Sequence, residues 1–213
     1  RLASCGPLGL GFITGRWQQR VGFEFAMGFA GEQGRRVNGQ WVKEPDMHSL
    51  GLPTTQPSIA KFLQAAGYAT GAFGKWHLGY KDEFNPTRHG FDDYFGELLG
   101  HSAYYRHAYY DGTYALRDGL EPVKQTGRYL TDLLNERAVA FVRKHATEPF
   151  FLYVPHLAVH APWQAPDRPE TPMVTKERMH EGTRADYAAM VERADAGGGM
   201  IMTELERQGL TDS

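Results

Sequence analysis

The pattern that most constrains this chain is an order of helix, break and short apolar strand that occurs twice. Ile59, Phe62, Leu63 and Ala66 recur at helical spacing and predict a helix from Ser58 to Ala66, with Pro57 near its first turn. Gly67 stops that helix, and Tyr68 to Phe73, bounded by glycines, predicts a strand. The order then returns. Leu134, Ala138, Phe141 and Val142 form the apolar stripe of a helix from about Thr131 to Lys144. After Glu148-Pro149, the run Phe150 to Val154 has the length and composition of a strand buried on both faces of a parallel sheet. A helix with one apolar stripe and a strand apolar on both faces each need cover. Helices packed on a mostly parallel sheet provide it, so the predicted class is α/β.

The intervening segments are irregular. Residues 17 to 56 carry glycines, charges, Pro45 and Pro53 with little periodicity, which predicts a long surface excursion with local turns. Residues 80 to 128 predict loop and short elements. Tyr104, Tyr105, Tyr109, Tyr110 and Tyr114 cluster there, either as a packed aromatic loop or as a wall of a substrate cleft. The Pro-rich stretch from Pro155 to Pro172 is loop. A third helix fits Arg184 to Gln208, with Tyr187, Met190, Val191, Ala194, Ile201 and Leu205 on one face and Gly209 as its cap. Gly197-Gly198-Gly199 interrupts it, at about 1 kcal/mol per glycine relative to alanine, which points to a kink or a close helix contact.

At 213 residues the chain fits one domain or one large piece of a domain. A net charge of -2 and a pI near 6.5 create no strong field for nucleic acid or an anionic membrane surface. The longest apolar runs are far too short to span a bilayer. No signal peptide is visible, and the first residue is Arg1, so the chain is expected to begin partway through a gene product. The single cysteine, Cys5, excludes an internal disulfide and a Cys-rich zinc site, which leaves packing or reactivity.

Two segments directly follow predicted strands, where open α/β sheets bind ligands. In Gly74-Lys75-Trp76-His77-Leu78-Gly79, a lysine and a histidine can meet an anion with charge and proton transfer together. The plainer alternative is a surface lysine beside a half-buried Trp-His pair. In Pro155-His156-Leu157-Ala158-Val159-His160-Ala161-Pro162, the four-residue spacing would make a metal pair only on a helix, and the prolines oppose one. A general acid therefore suits this segment better than a zinc site; the alternative is two loop histidines bonded to backbone.

Taken together, these segments resemble the signatures of the type I, formylglycine-dependent, arylsulfatase-like sulfatase family. The first signature is Cys5-Gly6-Pro7, six residues, then Thr14-Gly15-Arg16; the second runs from Gly67-Tyr68-Ala69-Thr70 to Gly74-Lys75-Trp76-His77. Pro86-Thr87-Arg88-His89-Gly90-Phe91-Asp92, Phe150-Phe151-Leu152-Tyr153 leading to His160-Ala161-Pro162, and Tyr187-Ala188-Ala189-Met190-Val191-Glu192 follow in the family's order.

The resemblance implies the alkaline-phosphatase-like α/β fold, with a mixed, mostly parallel sheet flanked by helices. It implies that Cys5 is the precursor of formylglycine, an aldehyde that hydrates to a gem-diol. One hydroxyl attacks the sulfur of a sulfate ester and the alcohol leaves; the second then loses its proton and expels sulfate. Lys75 would pair with a sulfate oxygen, His77 would stand beside the gem-diol, and His160 would protonate the leaving oxygen. The implied metal is calcium, a cation of oxygen ligands, with the residue at Cys5 among them.

The partners implied are a sulfate-ester substrate (a sulfated sugar, glycan or aryl ester) and the formylglycine-generating machinery. By family habit the location is periplasmic or secreted. Leu8 and Gly9 stand where the family usually has Ser and Arg, and that arginine helps hold the formylglycine. The family's paired aspartates, its Asp-Asn metal pair and a further active-site lysine fall outside residues 1 to 213. The chain is therefore expected to be a partial catalytic domain that binds the metal poorly alone and lacks activity. Two other readings stay open: a degenerate, non-catalytic sulfatase homologue, and a phosphoester hydrolase of the same superfold, which would use Thr or Ser with two zinc ions.

Overall fold

The computed structural model describes residues 5–22, 34–37, 40–43, 50–109, 112–169, 175 and 177–211. Its elements run α1 (Cys5–Thr14), β1 (Gly34–Val37), β2 (Gln40–Lys43), α2 (Ile59–Ala65), β3 (Ala69–Lys75), β4 (Asp93–Glu97), β5 (Leu116–Asp118), β6 (Glu121–Pro122), α3 (Leu130–Lys144), β7 (Phe150–Tyr153) and α4 (Arg184–Arg207). Both predicted helix-then-strand pairs form, and their strands lie side by side. The five-stranded sheet has the order β6-β5-β4-β3-β7, with β3 parallel to both β4 and β7 and the remaining neighbours antiparallel. β1 and β2 pair antiparallel in a separate ladder, inside the segment expected to be an irregular excursion.

Alternation along the central strands sends side chains into two cores. On one face Ala72 and Tyr94 join Leu10, Ile13 and Ala60, under α1 and α2. On the other, Phe73 and Phe95 join Leu134, Phe141 and Met190, under α3 and α4. Every residue of the expected stripe of α3 is buried. Such burial contributes roughly 1.5–3 kcal/mol per large apolar side chain.

Several expectations need correction. The stripe of α2 is not its packing face: Ile59 is 37% and Phe62 67% exposed, and Ala60 is the buried residue. This two-turn helix docks by its N-terminal end, where the Ser58 hydroxyl donates to the His89 carbonyl at 2.6 Å and accepts from the Lys61 N–H at 3.1 Å. β7 is half-buried rather than buried on both faces, because β3 is its one strand neighbour among the described residues. The segment from 80 to 128 contains β4, a buried parallel strand at the centre of the sheet. Tyr104, Tyr105 and Tyr109 are buried in the core and not displayed along a cleft; Tyr110 lies outside the described residues.

α4 packs on the expected face only in part. Met190 is buried and Ile201 packs against the same core, while Tyr187 and Val191 of that face are exposed, and Gly197 and Glu204 are buried beside it. Of the three glycines, Gly197 carries the close contact, since a Cβ there would collide with the side-chain amide of Asn135 on α3. Glu204 fixes the same face by accepting from Arg143 of α3 at 2.9 Å. The expected stops hold: Gly67 and Gly209 have left-handed φ of 86° and 72°.

Candidate active site

The carboxyl ends of β3 and β7 and the start of α1 enclose a cavity of about 1040 Å³. Cys5, Lys75, His77, His156 and His160 all line it, so sequence segments far apart along the chain converge. Lys75 is the last residue of β3 and only 8% exposed, which excludes an ordinary surface lysine. Its N–H donates to the Pro155 carbonyl at 2.7 Å, tying the exit of β3 to the exit of β7.

His77 is buried and has φ of 56°. A left-handed histidine costs about 1–2 kcal/mol and persists where its surroundings over-determine it. Here the Trp76 N–H donates to the Glu97 carbonyl at 2.8 Å and the His77 N–H to the Leu98 carbonyl at 3.0 Å. The Trp76 ring N–H is fixed by the Phe84 carbonyl at 2.7 Å. Gly100 leaves room for the imidazole of His77, because any Cβ there would overlap the ring.

His156 and His160 stand on the loop after β7. The Nδ1 of His160 lies 2.7 Å from the Ala161 carbonyl. A carbonyl can only accept, so Nδ1 carries the hydrogen and Nε2 is left with the lone pair in the neutral ring. The Tyr104 hydroxyl donates to the His160 carbonyl at 3.0 Å, so the buried tyrosine acts through the loop and not on a ligand. Burial lowers the pKa of His160, and Lys75 and His180 lower it further, against the upward pull of the Ala161 bond. Burial also lowers His156.

Cys5 is exposed at the first residue of α1. A helix start presents unsatisfied backbone N–H groups and the positive end of the dipole, both suited to an anion. Leu8, Gly9 and Arg16 line the cavity on the same side. Phe12 stacks on Tyr153 at 5.2 Å between ring centroids, and with Trp17 they give the cavity an aromatic wall. The arrangement can hold a small oxyanion at its basic end and an apolar or ring-shaped group beside it.

Two neighbours of this site escaped sequence reasoning. Glu97, 1% exposed, sits opposite Lys75 in the β3–β4 register. Burial pushes its carboxyl up to about 7, against the downward pull of Ser102 and Lys75, although no hydrogen bond to either oxygen closes geometrically. The His101 ring stacks 6.4 Å from His160, and burial, then His160 and Lys75, bring its pKa down to about 4. The signal for Glu97 was an acid set between apolar pairs, Tyr94-Phe95 and Leu98-Leu99.

A calcium ion needs roughly six to eight oxygen ligands. Among the described residues no group of three or more His, Cys, Asp or Glu side chains could hold a metal, and no carboxylate lines the cavity. The described residues around Cys5 therefore do not fit a calcium cage.

The family model described as Sulfatase matches residues 28–213, a span that starts after the Cys5 segment. The chain is 34% identical over 172 residues to Arylsulfatase J of Mus musculus, covering 77% of this chain and 26% of that protein. It is 28% identical over 223 residues to N-acetylgalactosamine-6-sulfatase of Rattus norvegicus, covering 97% and 38%. Among solved structures, Ps i-CgsB in complex with k-i-k-neocarrahexaose is similar with a TM-score of 0.76 and 30% identity, covering 98% of this chain and 46% of that one. The chain spans less than half the length of each of these relatives.

Proposed function

This chain belongs to the sulfatase family and has its alkaline-phosphatase-like α/β fold, and on that premise we propose that its cavity hydrolyses a sulfuric ester. The observation that carries the proposal is the convergence of Cys5, Lys75, His77 and His160 on one cavity. Formylglycine derived from Cys5 would supply a hydrated aldehyde, whose hydroxyls serve in turn as nucleophile and as the group that expels sulfate. Lys75 binds a sulfate oxygen and stabilises charge as the ester bond breaks, held in place by its backbone bond to Pro155. His77, fixed in a left-handed conformation, accepts a proton on the nucleophile side. His160, once its Nε2 has taken a proton from solvent, delivers that proton to the leaving oxygen while Nδ1 stays bonded to Ala161.

The substrate class is a sulfated sugar, glycan or aryl ester. The wall formed by Phe12 and Tyr153 suits the flat face of such a ring. Calcium belongs to this reading only through ligands beyond the described residues, and no step above depends on it. Among the described residues no helix is long and apolar enough to cross a membrane; the periplasmic or secreted location rests on family habit.

A second reading, a degenerate homologue that binds sulfated ligands without turnover, is favoured by Leu8 and Gly9 on the cavity wall. Mass spectrometry of the Cys5 peptide, from a host with formylglycine-generating machinery, separates the two. The catalytic reading expects the aldehyde at position 5; an unmodified thiol throughout would transfer support to the degenerate one.

A further inference from the structure

Behind the wall of the cavity lies a charged group that the proposed chemistry leaves unused. Glu97 ends β4 and Lys75 ends β3, and the two are register partners on parallel strands. Such partners project to the same face of a sheet, so the two side chains are neighbours there, without a closed ion pair between carboxylate and ammonium. Glu97 is 1% exposed, and neither oxygen meets a hydrogen-bond donor. Its position is locked by the two backbone bonds that Trp76 and His77 make to Glu97 and Leu98.

The groups facing Glu97 from other positions offer little relief. They are the Ser102 hydroxyl and the buried phenols of Tyr94, Tyr104 and Tyr109. Arg117 acts on Tyr94 and Tyr109 and spends its Nη1 on the carbonyls of Tyr114 and Leu116. A buried carboxylate with only the Ser102 hydroxyl acting on it as a donor, and that without a closed hydrogen bond, is costly, and the positive charge acting on it is that of Lys75.

Lys75 also lines the cavity. When an oxyanion enters, two negative groups compete for one ammonium, and the buried one gains most by becoming neutral. We propose that Glu97 is a positioning residue for Lys75, and that it takes up a proton from solvent when an oxyanion such as sulfate occupies the cavity. The field of the carboxylate draws on the Lys75 ammonium in the empty protein without closing an ion pair; protonation frees the full charge of Lys75 for the ligand. This role presupposes that Lys75 binds sulfate, as proposed above. With the Glu97 carboxyl pushed up to about 7, the coupling falls near neutral pH.

His77, His156 and His160 face the same ligand and His101 lies near Lys75, so their protons must be separated from that of Glu97. The test is calorimetry of inorganic sulfate binding to the full chain at about pH 7.5, in buffers of different ionisation enthalpy, which counts protons. Glu97→Gln is expected to lower the uptake by up to about three-quarters of a proton per sulfate and to remove a pH dependence of Kd of up to about tenfold per unit above the midpoint. Carbon NMR of the Glu97 carboxyl gives a second measurement in the unaltered chain, where sulfate should raise the titration midpoint.

An unchanged proton count in Glu97→Gln with an unshifted carboxyl titration overturns the role of Glu97. If Lys75→Ala still abolishes binding in that case, the reading of Lys75 survives. Sulfate that binds Lys75→Ala as well as the native chain, or does not bind the native chain, overturns both.

Discussion

Gly9 is the residue at which family membership and local chemistry diverge most. It lines the cavity, and a Cβ built there meets no heavy atom within 4 Å. Gly9→Arg should therefore fold normally, with stability unchanged or raised by up to about 1 kcal/mol from helix propensity. By the family resemblance that arginine also belongs to the sequence read by the converting enzyme, so the variant should raise the fraction of Cys5 found as formylglycine by mass spectrometry; an unaltered fraction would show that the missing arginine is not what limits conversion. His160 leads to a second expectation. Its pKa lies below the ordinary 6.5, so the protonated form that the proposed mechanism uses on the leaving group declines as pH rises through that lowered value. The rate constant kcat/KM should fall on that limb, and His160→Ala should flatten it. Cys5, Lys75, His77 and His160 could be proposed from the sequence because each sits in a local motif with fixed spacing, and the fold brings them to one cavity. Glu97 and His101 were not, because strand register and loop packing bring them to Lys75 and His160, and neither is written in neighbouring residues.

At the level of elements, the α3–α4 contact is tight at one glycine and loose at the next. Gly197→Ala drives a methyl group into Asn135, and overpacking of this kind costs about 1–3 kcal/mol. Gly198→Ala meets open space and should stabilise by about 0.5–1 kcal/mol. Thermal unfolding of the two variants should move in opposite directions; parallel shifts would contradict the packing. The helices α2, α3 and α4 and the strands β3 and β7 were all legible from periodicity and breaks. Which face each helix buries was less so. α3 follows its apolar stripe, since a fifteen-residue amphipathic helix has a large face to hide. α2 instead docks by a cap, and α4 adds a glycine and an ion pair to the Met190 and Ile201 part of its stripe, contacts that an apolar stripe does not reveal.

For the whole molecule, buried histidines set the response to acid. Burial is the largest cause lowering His89, His101, His107, His156 and His160, the first two to about 4. Below pH 6.5 the unfolded chain binds protons that the folded chain refuses. Stability is then fully present above 6.5 and lost as pH falls toward 4, on the order of 3 kcal/mol for His89 alone. Glu97, with its pKa raised to about 7, and Asp132, also raised by burial, act in the opposite sense, but they are two groups against five. Denaturant unfolding should show a lower midpoint at pH 5 than at pH 7 (about 5 and about 7 suffice); an equal or higher midpoint at the acid value would contradict the burial of these rings. The α/β class was legible at this scale. The antiparallel β4–β5–β6 side of the sheet was not, because its short strands lie in a segment without periodicity. The central claim is that distant segments assemble one sulfate-ester site, and the most direct measurement is turnover of an aryl sulfate by a gene product of its relatives' length that carries these residues. The account predicts sulfate release that Cys5→Ala abolishes and Lys75→Ala lowers by about 10²–10³. Release unaffected by Cys5→Ala, or no release from protein whose Cys5 is shown to be formylglycine, would contradict it.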